Sequence, residues 1–207
     1  AYGPNWDGCT NHVRYEVLKR LGYFVTESSE HFAEYTPWFI KNSQPELLAE
    51  FDIPINEYIR RCEKQMAEWD EQEAELLSDN KPVCEKSVEY AARIISSIVT
   101  DTPDVIYGNV LNRNLIANLP ENACVEVPCD VSKSGIVPRR VDALPAHLAG
   151  LIQTNITVQQ LTVDAIVSHK KEAVYHAAML DPHTSAELNL DQIWRMVDEL
   201  LDAHKGW

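Results

Sequence analysis

The densest chemistry in the 207 residues lies between Thr26 and Tyr35, where Glu27, Ser28, Ser29, Glu30, His31, Glu34 and Tyr35 crowd a stretch with few aliphatic side chains. Carboxylates, an imidazole and a phenol at such spacing are the groups from which acid and base chemistry is built. The same composition also describes a polar turn whose serines cap the next helix and whose aromatics fill the core, so both readings stay open. Arg60 and Arg61 form a second candidate group. A guanidinium pair can hold sugar hydroxyls, a carboxylate or a phosphate, or can simply pair with neighbours such as Glu57 and Glu63. Cys9 and His12 have a C-x-x-H spacing, but no second pair follows at the distance of a zinc site, and the spacing reads as chance. Tyr23, Trp38, Tyr58 and Trp69 read as core filling.

The elements that must position these groups are legible from periodicity. Asn11 to Leu21 places Val13, Val17, Leu18 and Leu21 at helical spacing, with Asn11 or Thr10 at the start and Gly22 where a left-handed cap is expected. Pro37 is placed to open a short helical turn. A long helix follows Pro54, with Ile55, Ile59, Cys62, Met66 and Trp69 as its apolar stripe and Glu63, Lys64, Glu71 and Glu73 facing away. Another helix spans about Ser87 to Val99. Val105 to Leu111 and Cys124 to Val131 read as strands rich in β-branched residues, and Pro128 predicts an edge position or a bulge. Ser132 to Gly135 supplies a turn. Pro145 to about Leu180 is helical, with an interruption expected near Thr154 and Asn155, and Leu190 to about His204 closes the chain. These patterns predict a mostly helical α+β fold with a small sheet, as a single domain over residues 1–207.

Composition narrows the function classes. The chain is 45% hydrophobic and 24% charged, with 32 acidic and 18 basic side chains and a formal net charge of −14. Such a surface repels nucleic acid and anionic membranes. No run approaches the roughly 18 apolar residues of a membrane helix, and the first residues lack the pattern of a signal peptide, so a cytoplasmic protein is expected. Five cysteines do not form a disulfide framework. None of the seven glycines belongs to a nucleotide-binding loop.

Three stretches carry a family resemblance: Arg14 to Phe39, which includes TESSEHFAEYTPWF from Thr26; Gly108 to Asn112 with Asn118 to Pro128; and Tyr175 to Thr184. They resemble glycoside hydrolase family 4, in its α-galactosidase and α-galacturonidase branch, from about Val13 onward and only over its C-terminal half. The resemblance implies a domain like the C-terminal domain of lactate dehydrogenase, with an antiparallel sheet, whose N-terminal NAD-binding partner domain lies outside this chain. It also implies hydrolysis of α-galactosides or related sugars by a route other than the usual two-carboxylate one. In that route a hydride passes from sugar C3 to NAD, a base takes the C2 proton, the C1 substituent leaves, water adds and the hydride returns. Mn2+ polarises the C2 and C3 oxygens, held by a Cys and a His of the N-terminal half.

Residue by residue, the resemblance puts the C2 base on Tyr35 and makes His31, Arg61, Asn109 and Asn112 candidates for substrate binding. The two asparagines read equally well as turn residues. Where relatives show Asn-Asn-Gly, this chain has Asn112, Arg113 and Asn114, so a residue that tolerates the left-handed region replaces glycine. Family enzymes usually associate through this half, which implies a homodimer or higher oligomer. The alternative reading is a non-catalytic helical assembly or binding module.

Overall fold

The computed structural model describes residues 11–78 and 89–205. Thr10, Cys9, Cys84 and the start of the helix expected from Ser87 lie outside the described residues.

The N-terminal part is a layer of short helices. Helix α1 spans His12–Leu21 and ends as the sequence predicts, with Gly22 at φ 78° donating its N–H to Leu18 O. Helix α2 covers Ser29–Glu34 and α3 covers Glu46–Glu50. Pro37 opens no helix. The Thr36 hydroxyl donates to Phe32 O at the end of α2, and the following proline disfavours helical geometry at its neighbour, so the chain runs irregularly until Pro45 precedes α3. Val13, Val17, Ala33, Phe39 and Ile53 form the core of this layer.

Helix α4, Glu57–Leu76, has the expected position and length, but its stripe is not buried. Met66 is 78% exposed, Ile59 and Trp69 are exposed, and every residue from 63 to 77 is open to solvent. Periodicity finds an apolar face without saying what covers it, and no other described element packs along this one. Tyr23, Trp38 and Tyr58 are likewise exposed rather than core-filling.

Helix α5, Tyr90–Thr100, leads into the sheet of β1 (Asp104–Leu111), β2 (Cys124–Ser132) and β3 (Gly135–Pro138). The three strands are antiparallel in chain order. Alternation along β2 buries Val125, Val127, Cys129 and Val131 against Ile106, with Ile94 and Ile98 of α5 packed on them. Pro128 is in the central strand, not at an edge, and there is no bulge. Its carbonyl accepts from the Arg139 N–H at 2.8 Å, so the ring nitrogen faces the side where β3 has just ended and no donor is needed. Strand β3 is one the composition does not announce; the Ser132 to Gly135 turn is its hairpin, with Gly135 at φ 102°.

Helix α6, Ala146–Ser168, passes Thr154 and Asn155 without interruption. Thr154 and Thr157 return their hydroxyls to the carbonyls of Leu151 and Gln153, which satisfies the polar groups inside the helix. The break comes at His169, which takes the left-handed φ of 55°, before α7 (Lys171–Leu180). Asp181 caps α8 (Pro182–Glu187) through the Thr184 N–H, and α9 (Leu190–Ala203) starts from a capping box of Asn189 and Gln192. The described architecture is the expected helical α+β fold with a small antiparallel sheet.

Candidate functional site

Helix α2 is short, and its sequence fixes what each face carries. Ser28 caps it by accepting the His31 N–H at 3.2 Å, and the Tyr35 N–H closes it on His31 O at 3.0 Å. Residues four apart share a helical face, so the His31 and Tyr35 rings stack, with centroids 6.3 Å apart and planes 23° apart. Glu34 accepts from His31 Nδ1 at 2.9 Å. Glu30, on the opposite face, is buried and takes Arg61 Nη2 at 3.2 Å.

Tyr35 is 45% exposed and lines a cleft of about 500 Å3. One wall is the C-terminal end of α1 and the 23–27 loop. The other is α6, whose Leu148, Ile152, Asn155 and Gln159 face in, with Cys124 at the rim. Helix α6 is tied to the first wall at two points. His147 Nε2 donates to Leu21 O at 3.2 Å, and Asn155 Nδ2 donates to Tyr35 O at 3.4 Å. The floor is apolar, and among the described residues lining it Glu27 alone carries a full charge. An apolar pocket with a few convergent polar groups is the usual form of a small-molecule site.

The electrostatics run in a definite direction. Partial burial first, then the carboxylates of Glu27 and Glu34, push the Tyr35 phenol above its ordinary value of 10.0. The hydrogen bond to Glu34 pushes the His31 imidazole up, so the protonated ring is favoured. Within this chain alone Tyr35 is held neutral, and it needs a further positive charge to serve as a proton acceptor.

The five residues expected at a site do not converge. Tyr35 lines the cleft and His31 stands behind it. Arg61 does not line it: the guanidinium bridges Glu30 and Glu57, the latter at 3.1 Å, and ties α4 to α2. Asn112 is 0% exposed. Its Nδ2 lies 3.0 Å from each of Ile116 O, Leu119 O and Pro120 O and shares its two N–H groups among them, and its Oδ1 accepts the Ile116 N–H at 2.7 Å, so it is a loop staple rather than a substrate contact. Asn109 is exposed on β1 opposite Glu126 and is not among the residues lining the cleft. The loop departs from glycine as expected, with Arg113 at φ 38° and Asn114 at φ 64°. Asn155 and Gln159 were missed. Asn155 fell in the polar run read as an interruption of the helix, and Gln159, in a helix that also carries Gln153, Thr157, Gln160, Thr162 and Asp164, had no distinguishing signal.

No cluster of three or more His, Cys, Asp or Glu side chains among the described residues could hold a metal ion. No described helix is long and apolar enough to cross a membrane. Cys62, Cys124 and Cys129 are free thiols.

Comparison with known proteins places these features. The Family 4 glycosyl hydrolase C-terminal domain matches residues 3–184, starting ahead of Val13, where the resemblance was expected to begin. An α-galactosidase of Bacillus subtilis is 49% identical over 195 residues, which is 94% of this chain and 45% of that protein. A Bacillus subtilis structure described as a glucosidase, LplD, superposes with a TM-score of 0.82 at 19% identity, over 97% of this chain and 46% of its own. A 6-phospho-α-glucosidase from gut microorganisms, solved with NAD and Mn2+, superposes with a TM-score of 0.67 at 20% identity, over 93% of this chain and 43% of its own. The chain thus spans less than half the length of these relatives.

Proposed function

The chain belongs to the family 4 glycosyl hydrolases, as their C-terminal domain, and on that premise we propose that it is the substrate-binding and oligomerisation half of an enzyme that hydrolyses α-galactosides. The observation that carries this reading is the cleft beside Tyr35, open on one side, with an apolar floor and a rim of Glu27, Tyr35, Asn155 and Gln159. Hydroxyl, amide and carboxylate groups suit the hydroxyls of a neutral sugar, and the apolar floor suits the C–H face of a pyranose ring. A phosphorylated or uronic sugar would meet Glu27 and no cation on this wall. That favours a galactoside over the 6-phosphoglucosides and galacturonides that other relatives are named for.

Tyr35 takes the C2 proton in this proposal. It does so once the completed site brings a positive group that offsets Glu27 and Glu34, beside the His31 ring stacked on its own. The described residues do not fit NAD or Mn2+: they offer no metal cluster, and the chain has no phosphate-binding glycine loop. In this proposal the complete enzyme holds both cofactors mainly through the N-terminal half that its relatives carry.

The test is turnover of an aryl α-galactoside by the chain joined to the N-terminal half that its relatives carry, with NAD and Mn2+ supplied. Release of the aryl alcohol supports the reading, and an enzyme with both cofactors bound that cleaves only 6-phosphoglucosides or galacturonides overturns it.

The exposed stripe of α4 favours a second reading, a non-catalytic helical module that assembles into homodimers. A dimer in sedimentation equilibrium that Met66→Glu dissociates supports this reading, and a monomer at all concentrations overturns it.

A further inference from the structure

The geometry points to Asn155 and Gln159 of α6 as the amides that recognise the sugar hydroxyls facing Tyr35. This rests on the reading that the cleft takes a galactoside. The two residues are one helical turn apart, so their side chains share a face, and both line the cleft. The positions around them, Leu148, Ile152 and Ile156, are aliphatic, and a polar pair in such a row is not needed for packing.

Neither amide is consumed by the fold in the way that Asn112 is. Among the described residues the Gln159 carboxamide has no hydrogen-bond partner. Asn155 uses only its Nδ2, on Tyr35 O at 3.4 Å and on Thr154 Oγ1 at 3.3 Å, so its oxygen remains open toward the cleft. A carboxamide offers a donor and an acceptor on one rigid plane, which matches adjacent hydroxyls of a sugar, each of which both gives and takes a hydrogen bond. Gln159 is then a binding residue. Asn155 has two roles: it binds sugar through its oxygen and acts as a positioning residue for Tyr35 through its nitrogen, because the bond to the Tyr35 carbonyl sets where the phenol stands relative to α6.

The experiment uses the complete enzyme, the chain joined to the N-terminal half, and an aryl α-galactoside with its series of monodeoxy analogues. Gln159→Ala, at an exposed position, is expected to raise KM about tenfold with kcat little changed, the effect of one lost pair of sugar hydrogen bonds. Removing one particular substrate hydroxyl should cost the wild type a similar factor in kcat/KM and cost Gln159→Ala nothing. Asn155→Ala should raise KM and also lower kcat, since Tyr35 loses its tie. Variants with unchanged KM that still discriminate against every deoxy analogue would overturn the assignment. A wild type that does not hydrolyse galactosides at all would instead overturn the functional reading beneath it.

Discussion

His31 and Tyr35 stand one turn apart on α2 with their rings stacked at 6.3 Å, and Glu34 holds the imidazole at 2.9 Å. The stack places an imidazole beside the ring of the phenol proposed to act as base. The Glu34 carboxylate that raises the His31 pKa also opposes ionisation of the phenol. Glu34→Gln therefore moves two titrations at once. The His31 pKa should fall toward its ordinary value of about 6.5 as its largest supporting bond weakens, and the Tyr35 pKa should fall as well. NMR titration of the isolated chain reads both shifts. An unchanged His31 would contradict the pairing.

The same pair sets a sign for stability against pH. A histidine whose folded pKa is raised contributes stability that is fully present below its unfolded value of about 6.5 and is lost as pH rises through the raised folded value. Chemical denaturation of wild type and Glu34→Gln should thus diverge below that window and converge above it.

Asn112 offers the clearest stability prediction. Asn112→Ala leaves the Leu119 carbonyl and the Ile116 N–H without their partner, while the Ile116 and Pro120 carbonyls keep the N–H groups of Leu119 and Ala123, at a cost on the order of 3 kcal/mol. Asn112→Asp should be worse, because it points a carboxylate at those three carbonyls. Denaturant midpoints of the three proteins check the order, and a neutral Asn112→Ala would contradict the staple.

Arg61 is expected to behave as a strut. Arg61→Ala takes a partner from the buried Glu30 and should destabilise by about 1–3 kcal/mol while leaving KM for a galactoside unchanged. A selective rise in KM would return Arg61 to the substrate.

Glu187 ties the end of α8 to the segment before α3, accepting the Asn42 N–H at 3.0 Å and meeting Lys41 Nζ at 3.1 Å. The backbone bond from Asn42 first, and Lys41 next, hold its carboxyl below the ordinary value. Its contribution is present above the unfolded value of about 4.3 and is lost as pH falls through the lower folded value. Glu187→Gln should therefore lose stability at neutral pH and draw level with wild type in acid, as thermal melts across that range would read.

What the sequence disclosed and what it withheld have physical causes. Helix α1 was legible to its last residue because Gly22 is the residue a left-handed cap needs, and β1 and β2 because β-branched alternation has one reading in a half-buried strand. Pro128 misled because its missing donor signals an edge, while the determining fact, that β3 ends beside it, is set by pairing far along the chain. The stripe of α4 was legible as apolar, but Trp69 within it, expected to fill the core, is exposed, since burial depends on a partner no single helix encodes. At the candidate site, residue type and spacing marked the segment from Thr26 to Tyr35 without separating a polar turn from a reactive cluster, and it was the family resemblance that singled out Tyr35 and His31. Asn112 could not be told from a ligand contact, because a satisfied amide and a waiting one are the same residue. Asn155 of α6 reaches the Tyr35 carbonyl, and Gln159 comes to line the same cleft, only through tertiary packing.

The central claim is that the Tyr35 phenol removes the C2 proton of an α-galactoside. It is tested most directly by following deuterium incorporation at C2 in labelled water, in the complete enzyme with NAD and Mn2+ bound, for wild type and Tyr35→Phe. The account predicts exchange during turnover in the wild type and its loss, by at least about a hundredfold, in the variant, as removal of a general base costs. Equal exchange in the two proteins would contradict it.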